Sequence, residues 1–398
     1  MSQSLKNVVV VGGSYVGVAT AKELASILPP SHRVLLVEPH SHFHHLFAFP
    51  RFSILPSHEH KSFIPYTTTF SHSPLPSSHS IIQAAALSIL PPSSPSPSLL
   101  LDRPYQNSTT LPYDYLIAAT GTTLSPPGTI PHHTTKPPSI TFLQSYQSSL
   151  SHSNSIIIIG GGAVGVQMAC DLREIYPSKT VTLIHSRDQL MPLYHPALST
   201  LVKSRFSELG VNLITGTRVI LPSAGFPLTS VPRTKVNLQD GRTLTADFVI
   251  TATGQTPNNS WLTAGLGEDV INPLNGFIKV HPTMQVEGHK NVFAVGDIND
   301  CGAHKAAKPG LVQAGVAARN IVSLINGGEA EEKLEVAPAS IHLTLGLKKN
   351  VIFRNPDTAK GVTEPYINLK DDGREDMNMA EVWGRRGPKV TSESDYHL

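Results

Sequence analysis

The chain has 398 residues, 40% of them hydrophobic, and its 31 lysines and arginines nearly balance 29 aspartates and glutamates for a formal net charge of +2. That length exceeds one ordinary core and suits two or three domains, while the even charge gives no basis for binding nucleic acid or an anionic membrane. Apolar runs such as residues 156–159 and 117–119 fall far short of the roughly 20 residues a membrane-spanning helix needs.

Met1 to Lys6 leads straight into a strand, which leaves no room for a signal peptide, and Ser2 stands where N-myristoylation requires glycine. A cytoplasmic location is expected. Residues 8–11, 14–28 and 33–37 read as strand, helix and strand closed by Glu38, and their continuous Val/Leu content is that of parallel strands buried on both faces. Residues 39–112 are rich in Ser, Pro and His, with short antiparallel strands expected at 81–90, 98–102 and 109–111. The Pro-rich stretch 91–97 is read as a hairpin tip, because proline cannot sit inside a ladder. A buried strand then ends in Thr120-Gly121, and residues 126–138 read as a Pro/Thr-rich linker.

A second strand–helix–strand unit begins at Ser155, with a helix over 163–176 and a strand over 180–185. It continues as helix 201–209, strand 211–213, a hairpin about Asp240-Gly241, and a strand at 246–251 that runs into Thr253-Gly254. A third strand ends in Gly296-Asp297 and precedes a helix over 309–325. The tail from about residue 335 holds strand-like pieces at 340–345 and 350–353 and a polar, charged end.

The two halves repeat one order of parts, glycine turn, strand end, hairpin and Thr-Gly turn, as an internal duplication of a dinucleotide-binding unit would. In the first turn, Gly12-Gly13-Ser14-Tyr15-Val16-Gly17, Gly12 permits the bend from strand to helix, Gly17 allows close helix–strand approach, and the helix N-terminus offers N–H groups to a pyrophosphate. Ser14 replaces the middle glycine, which narrows the clearance but adds a hydroxyl donor. Glu38 is placed to accept from ribose hydroxyls. The second turn keeps Gly160, Gly162 and Gly165, yet its second strand ends in His185-Ser186-Arg187 instead of an acid. A carboxylate there would repel a 2′-phosphate, whereas His185, Ser186 and Arg187 can hold one, so NADPH, or loose use of both NADPH and NADH, is expected.

Taken together, these turns, the two Thr-Gly strand ends and Val295-Gly296-Asp297 resemble the pyridine nucleotide-disulfide oxidoreductase superfamily, within it the apoptosis-inducing-factor-like, ferroptosis-suppressor type of NAD(P)H:quinone oxidoreductase. The resemblance covers residues 6–350 and implies two Rossmann-like dinucleotide-binding domains, each three-layer α/β, plus a small α+β C-terminal domain. The expected divisions are 1–130 with 256–332 for FAD, 131–255 for NAD(P)H, and 333–398 for the C-terminal domain. It further implies that Gly12, Gly13, Ser14, Gly17 and Glu38 bind the ADP half of FAD, that Thr120, Gly121 and Gly296 line its site, and that Asp297 bonds the ribityl chain. Gly160, Gly162, Gly165, His185, Arg187 and Gly254 fall to the nicotinamide nucleotide. Arg51, in the histidine-rich segment 42–51, would run beside the flavin, while Lys305 and Lys308 would place catalytic positive charge near its pyrimidine edge.

Cys170 and Cys301 are the only cysteines and no C-x-x-C occurs, which removes the disulfide-reducing members of such a superfamily from consideration. The expected reaction is ping-pong, with hydride passing from NAD(P)H to FAD and two electrons then passing to a small acceptor, a quinone by resemblance. Alternatives are a flavin-dependent oxidase or tailoring oxidoreductase, and a redox-switched signalling or nucleic-acid-binding protein; Arg385-Arg386 is the main basic cluster for the latter. The partner is expected to be a small molecule and the chain a monomer or homodimer, in the cytoplasm with or without peripheral membrane contact. His42, His44 and His45 have no cysteine or carboxylate at metal-ligand spacing apart from distant Glu59, and are read as flavin packing or simple loop polarity.

Overall fold

The computed structural model describes residues 5–91, 94, 96–130 and 133–398. β1 (Lys6–Val11), α1 (Tyr15–Ile27) and β2 (His32–Val37) form the first βαβ unit. A two-stranded pair, β3 (His42–His44) with β4 (Phe63–Pro65), flanks the single-turn helix α2 (Phe49–Phe52). Then come β5 (Ser80–Ile82), an antiparallel meander of β6 (Ala86–Ile89), β7 (Ser98–Tyr105) and β8 (Ser108–Pro112), and strands β9 (Tyr115–Ala118) and β10 (Thr122–Thr123). The expected hairpin tip lies partly outside the described residues.

The stretch read as a linker is shorter than its composition suggests. Lys136 already opens α3 (Lys136–His152), whose prolines occupy the first turn, where their missing N–H would have had no helical partner anyway. The second unit follows: β11 (Ser155–Ile159), α4 (Ala163–Ile175), β12 (Thr180–Ile184), α5 (Pro196–Leu209), β13 (Asn212–Ile214), the hairpin β14 (Thr234–Asn237) and β15 (Thr243–Ala246), β16 (Phe248–Thr251) and β17 (Thr256–Pro257). The chain then returns through α6 (Ser260–Leu266), β18 (Val292–Ala294) and α7 (Ala307–Ile325), and ends in an antiparallel sheet of β19 (Ser340–Thr344), β20 (Asn350–Arg354) and β21 (Tyr366–Lys370) followed by α8 (Met379–Arg386).

Two parallel sheets organise the molecule, ordered β18-β9-β1-β2-β5 and β13-β12-β11-β16. Alternation along each central strand fills two cores. Val8 and Val10 pack under α1 with Val18 and Leu24, whereas Val9 and Val11 face Leu99, Leu101 and Leu111 of the meander. Ile156 and Ile158 pack with Met168 and Leu172 of α4, and Ile157 and Ile159 face Val236 of the hairpin. Each unit is thus a helix layer, a parallel sheet and an antiparallel layer, which explains why the central strands carry no polar alternation.

Residues 333–398, read from the sequence as a small third domain, add to both of these cores. Leu343, Val351 and Phe353 of the terminal sheet join the α4 side of the second unit, while Met379 and Trp383 of α8 and Tyr396 are buried in the α1 side of the first. Trp383 also donates its indole N–H to the carbonyl of Lys61 at 2.8 Å. Among the described residues, no helix is long and apolar enough to cross a membrane.

Candidate functional site

The two glycine turns are built alike down to their backbone bonds. The N–H of Gly12 donates to Val37 O and that of Ala119 to Val11 O, both at 2.8 Å; the counterparts are Gly160 to Ile184 O and Ala252 to Ile159 O, also at 2.8 Å. Gly12 and Gly160 have φ of +105° and +118°, and a Cβ there would lie 2.5 Å from Ala119 O and 2.3 Å from Ala252 O. Only glycine fits such a strand-to-helix bend. Around Gly162 and around Gly121 no protein atom comes within 4 Å of where a Cβ would stand. Gly162 stands at the N-terminus of α4, beside free helix N–H groups, and Gly121 follows β9, the neighbour of β1; both are open positions of the kind a dinucleotide fills.

The halves differ in what the second residue of the turn holds. Gly13 N–H donates to the carboxylate of Glu38, a buried side chain that also accepts from the backbone N–H of His40 at 2.9 Å. Tyr66 donates its hydroxyl to Gly13 O at 2.7 Å and so closes the back of that turn. In the second turn Gly161 N–H donates to Nδ1 of His185 at 3.0 Å. An imidazole that accepts on Nδ1 carries its proton on Nε2, and that atom is buried without a partner among the described residues. Burial and the nearby Arg187 push His185 below its ordinary pKa, so the ring is neutral. Arg187 itself is exposed.

A short ladder of β10 on β17 ties the two Thr-Gly strand ends together. Thr120 Oγ1 donates to Asn258 O at 2.7 Å, Asn258 Nδ2 donates back to Thr120 O at 2.9 Å, and Asn258 N–H donates to Gly121 O at 3.0 Å. Gly121 and Gly254 both have positive φ, +59° and +65°. The third predicted strand end arrives at the same place, because Gly296 and Gly310 both pack against Val16 of α1. Gln313 accepts from Gly296 N–H at 2.7 Å and from Asn299 Nδ2 at 2.8 Å. Asp297 is largely enclosed, and burial raises its carboxyl against the pull of Lys305. Lys305 donates to the Asn299 carbonyl and lies 4.1 Å from the centroid of the Phe277 ring; Lys308 is exposed in the first turn of α7.

Arg51 does not join this assembly. It is 1% exposed and its fork grips Asp171 of α4, with Nε to Oδ2 at 3.0 Å and an NH2 nitrogen to Oδ1 at 2.8 Å. The remaining donors go to the carbonyls of Gly346 at 2.7 Å and Arg374 at 3.1 Å. With its donors taken, Arg51 has none for a flavin, and the expectation that it binds one is replaced by a structural role between three segments. Two of the three histidines are likewise internal, while His42 is half-buried with its Nε2 3.0 Å from Leu398 O. His45 meets the Tyr15 hydroxyl at 2.9 Å and burial lowers its pKa to about 3, while His44 packs between Phe49 and Phe63 and is also held neutral by burial.

Residues 6–319 match the pyridine nucleotide-disulphide oxidoreductase family. The chain belongs to that family. Its relatives include Fe-regulated protein 8 of Mycosarcoma maydis, 34% identical with 97% of this chain and 96% of the relative covered. Mouse ferroptosis suppressor protein 1 is 31% identical over 80% of each chain. Among solved structures, the sulfide:quinone oxidoreductase of Aquifex aeolicus superposes with a TM-score of 0.71 at 21% identity, covering 92% of this chain and 87% of that one, and so shares the fold. The chain is therefore a flavoprotein oxidoreductase of the ferroptosis-suppressor and apoptosis-inducing-factor type, with FAD as cofactor and NAD(P)H as electron donor. The open position at Gly162 of the second turn, and those at Gly121 and Gly254 where the two Thr-Gly strand ends meet, fit that pair of dinucleotides.

Proposed function

We propose that the chain passes electrons from NAD(P)H through FAD to a quinone, with NADPH the favoured donor. The observation that carries this reading is the unlike pair at the two turns, Gly13 with Glu38 and Gly161 with His185. In this reading Gly12, Gly13, Ser14 and Gly17 hold the FAD diphosphate, Glu38 receives the adenosine ribose, Thr120, Gly121 and Gly296 line the flavin side, and Asp297 bonds the ribityl chain. Gly160, Gly162, Gly165 and Gly254 receive the nicotinamide nucleotide. His185 Nε2–H and Arg187 are donors suited to a 2′-phosphate, where a carboxylate would repel it. Bound FAD supplies hydride acceptance and two-electron delivery. Lys305, Lys308 and the N-terminus of α7 set positive potential beside it.

Support for a direct small acceptor comes from the cysteines. Cys170 is sealed in the core of the second unit and Cys301 lies at the edge of the first, so no vicinal dithiol stands between flavin and acceptor. The test is the absorption spectrum of the purified protein before and after anaerobic NADPH or NADH, followed by turnover with a short-chain ubiquinone. Flavin absorbance that bleaches with NADPH and returns with quinone is expected; a colourless protein that takes up no FAD, or equal turnover with oxygen alone, overturns the proposal. For donor choice, His185→Glu is expected to lower kcat/KM for NADPH at least about tenfold relative to NADH, because a like charge opposes the 2′-phosphate. An unchanged NADPH/NADH ratio would remove His185 from the discrimination.

A further inference from the structure

The basic pair Arg385-Arg386 is split by the fold. Arg385 is exposed and pairs with Glu381 one turn earlier at 2.7 Å. Arg386, the last residue of α8, turns inward, and its guanidinium carbon lies 3.4 Å from the centroid of the Phe43 ring and 5.2 Å from that of Tyr15. Thr68 Oγ1 donates to Arg386 O at 3.1 Å, and Gly387 packs onto Thr68 so closely that a Cβ would overlap its hydroxyl. The end of α8 is thereby pinned over the segment that carries Tyr66, whose hydroxyl closes the first glycine turn.

What Arg386 lacks is an acceptor. Among the described residues no carboxylate lies within ion-pair distance of its guanidinium and no carbonyl accepts from it, whereas Arg51 has carboxylate and carbonyl partners and Arg385 a carboxylate. Its charge is felt by Lys22 farther along α1, by the neutral His45 and by the hydroxyls of Tyr15 and Tyr66, and the helix N-terminus beside Tyr15 adds partial positive charge; the carboxylate on the far side of Tyr66, that of Glu38, is bonded to the Gly13 N–H. A guanidinium taken partly out of water without an anion is unfavourable unless an anion arrives. Five donors in a planar fork suit the oxygens of a phosphate better than any other common ligand group.

We infer that Arg386 is a diphosphate-binding residue, which reaches from the C-terminal helix to the pyrophosphate of the dinucleotide seated on the first glycine turn. The inference rests on the reading that this turn takes FAD. It gives α8 a function beyond packing: the segment that completes the first core also supplies a positive charge that the glycine turn and Ser14 do not carry. It further makes the C-terminal segment part of the cofactor site, so that retention of FAD depends on α8 being docked.

The test compares wild type, Arg386→Lys and Arg386→Met, the last keeping an unbranched apolar side chain against Phe43. Deflavinated proteins are titrated with FAD by fluorescence quenching, with ADP as a diphosphate without flavin and with riboflavin as a flavin without phosphate; thermal unfolding of each apoprotein is recorded. Arg386→Met is expected to raise the dissociation constant for FAD about tenfold to a hundredfold, as loss of charge-assisted hydrogen bonds does. ADP affinity should fall in parallel, riboflavin affinity and the apoprotein unfolding midpoint should hold, and Arg386→Lys should fall between. FAD affinity equal to wild type in Arg386→Met overturns the inference. So does a loss accompanied by a lower apoprotein midpoint and equal loss of riboflavin, which would make Arg386 a packing residue. A wild-type protein that takes up no FAD would instead overturn the flavin reading from which the inference starts.

Discussion

Arg51→Met is expected to destabilise the protein by about 3–5 kcal/mol, the penalty for stripping one partner from a buried ion pair. Asp171 is fully buried and Arg51 is its only ionic partner among the described residues. Removal of the guanidinium also strands the carbonyls of Gly346 and Arg374. Lysine would not serve, since one ammonium cannot fork across a carboxylate and two carbonyls. Burial pushes the Asp171 carboxyl above its ordinary range and Arg51 pulls it back, so in the variant the native carboxyl rises further. A native pKa above the unfolded value means that the native state binds more protons between the two, and stability falls as pH rises through that window. The deficit of Arg51→Met should therefore narrow as pH is lowered from 7 toward 5, and adding Asp171→Asn should recover part of it. Denaturant unfolding at both pH values measures this; a pH-independent deficit below about 1 kcal/mol would mean that the pair contributes little more than a surface bridge does.

The contrast between Arg51 and the glycine turns shows where the sequence was readable. Gly12, Gly17, Gly160 and Gly165 are demanded by backbone geometry within six residues, and the strands around them are continuous Val, Leu and Ile because both faces are covered, so local pattern was enough. His185 was legible through register alone: it follows β12 as Glu38 follows β2. Arg51 was not, because its partners lie 120 and 295 residues away on other segments, and a basic residue beside a histidine-rich loop looks the same whether it faces a ligand or a buried aspartate. α3 was missed because its inward residues, Leu143, Tyr146, Gln147 and Leu150, are diluted by serines. α8 was missed because Trp383 stands in a charged tail, and its burial depends on a core assembled more than 300 residues earlier.

Gly17→Ala and Gly165→Ala are expected to abolish folding or leave only insoluble protein, whereas Gly162→Ser should fold normally and fail at the ligand. A Cβ on Gly17 would stand 1.7 Å from Gly12 O, and one on Gly165 2.0 Å from Gly160 O. Both oxygens belong to the tight turns themselves, so no side chain can move aside; the helix must leave the sheet, at a loss above about 4 kcal/mol. Gly162 has no protein atom within 4 Å of its Cβ position, and a serine there, the counterpart of Ser14 in the first turn, meets only open space, which the proposed function gives to a phosphate. The Gly162→Ser apoprotein should therefore unfold at nearly the wild-type midpoint while its KM for NADPH rises, and Ser14→Gly should retain FAD more tightly by the same reasoning. If Gly162→Ser lost stability as Gly165→Ala does, the open position would be structural. If it kept wild-type KM, the second turn would not approach the diphosphate. Together the two glycine classes separate what the turn needs in order to fold from what it needs in order to bind.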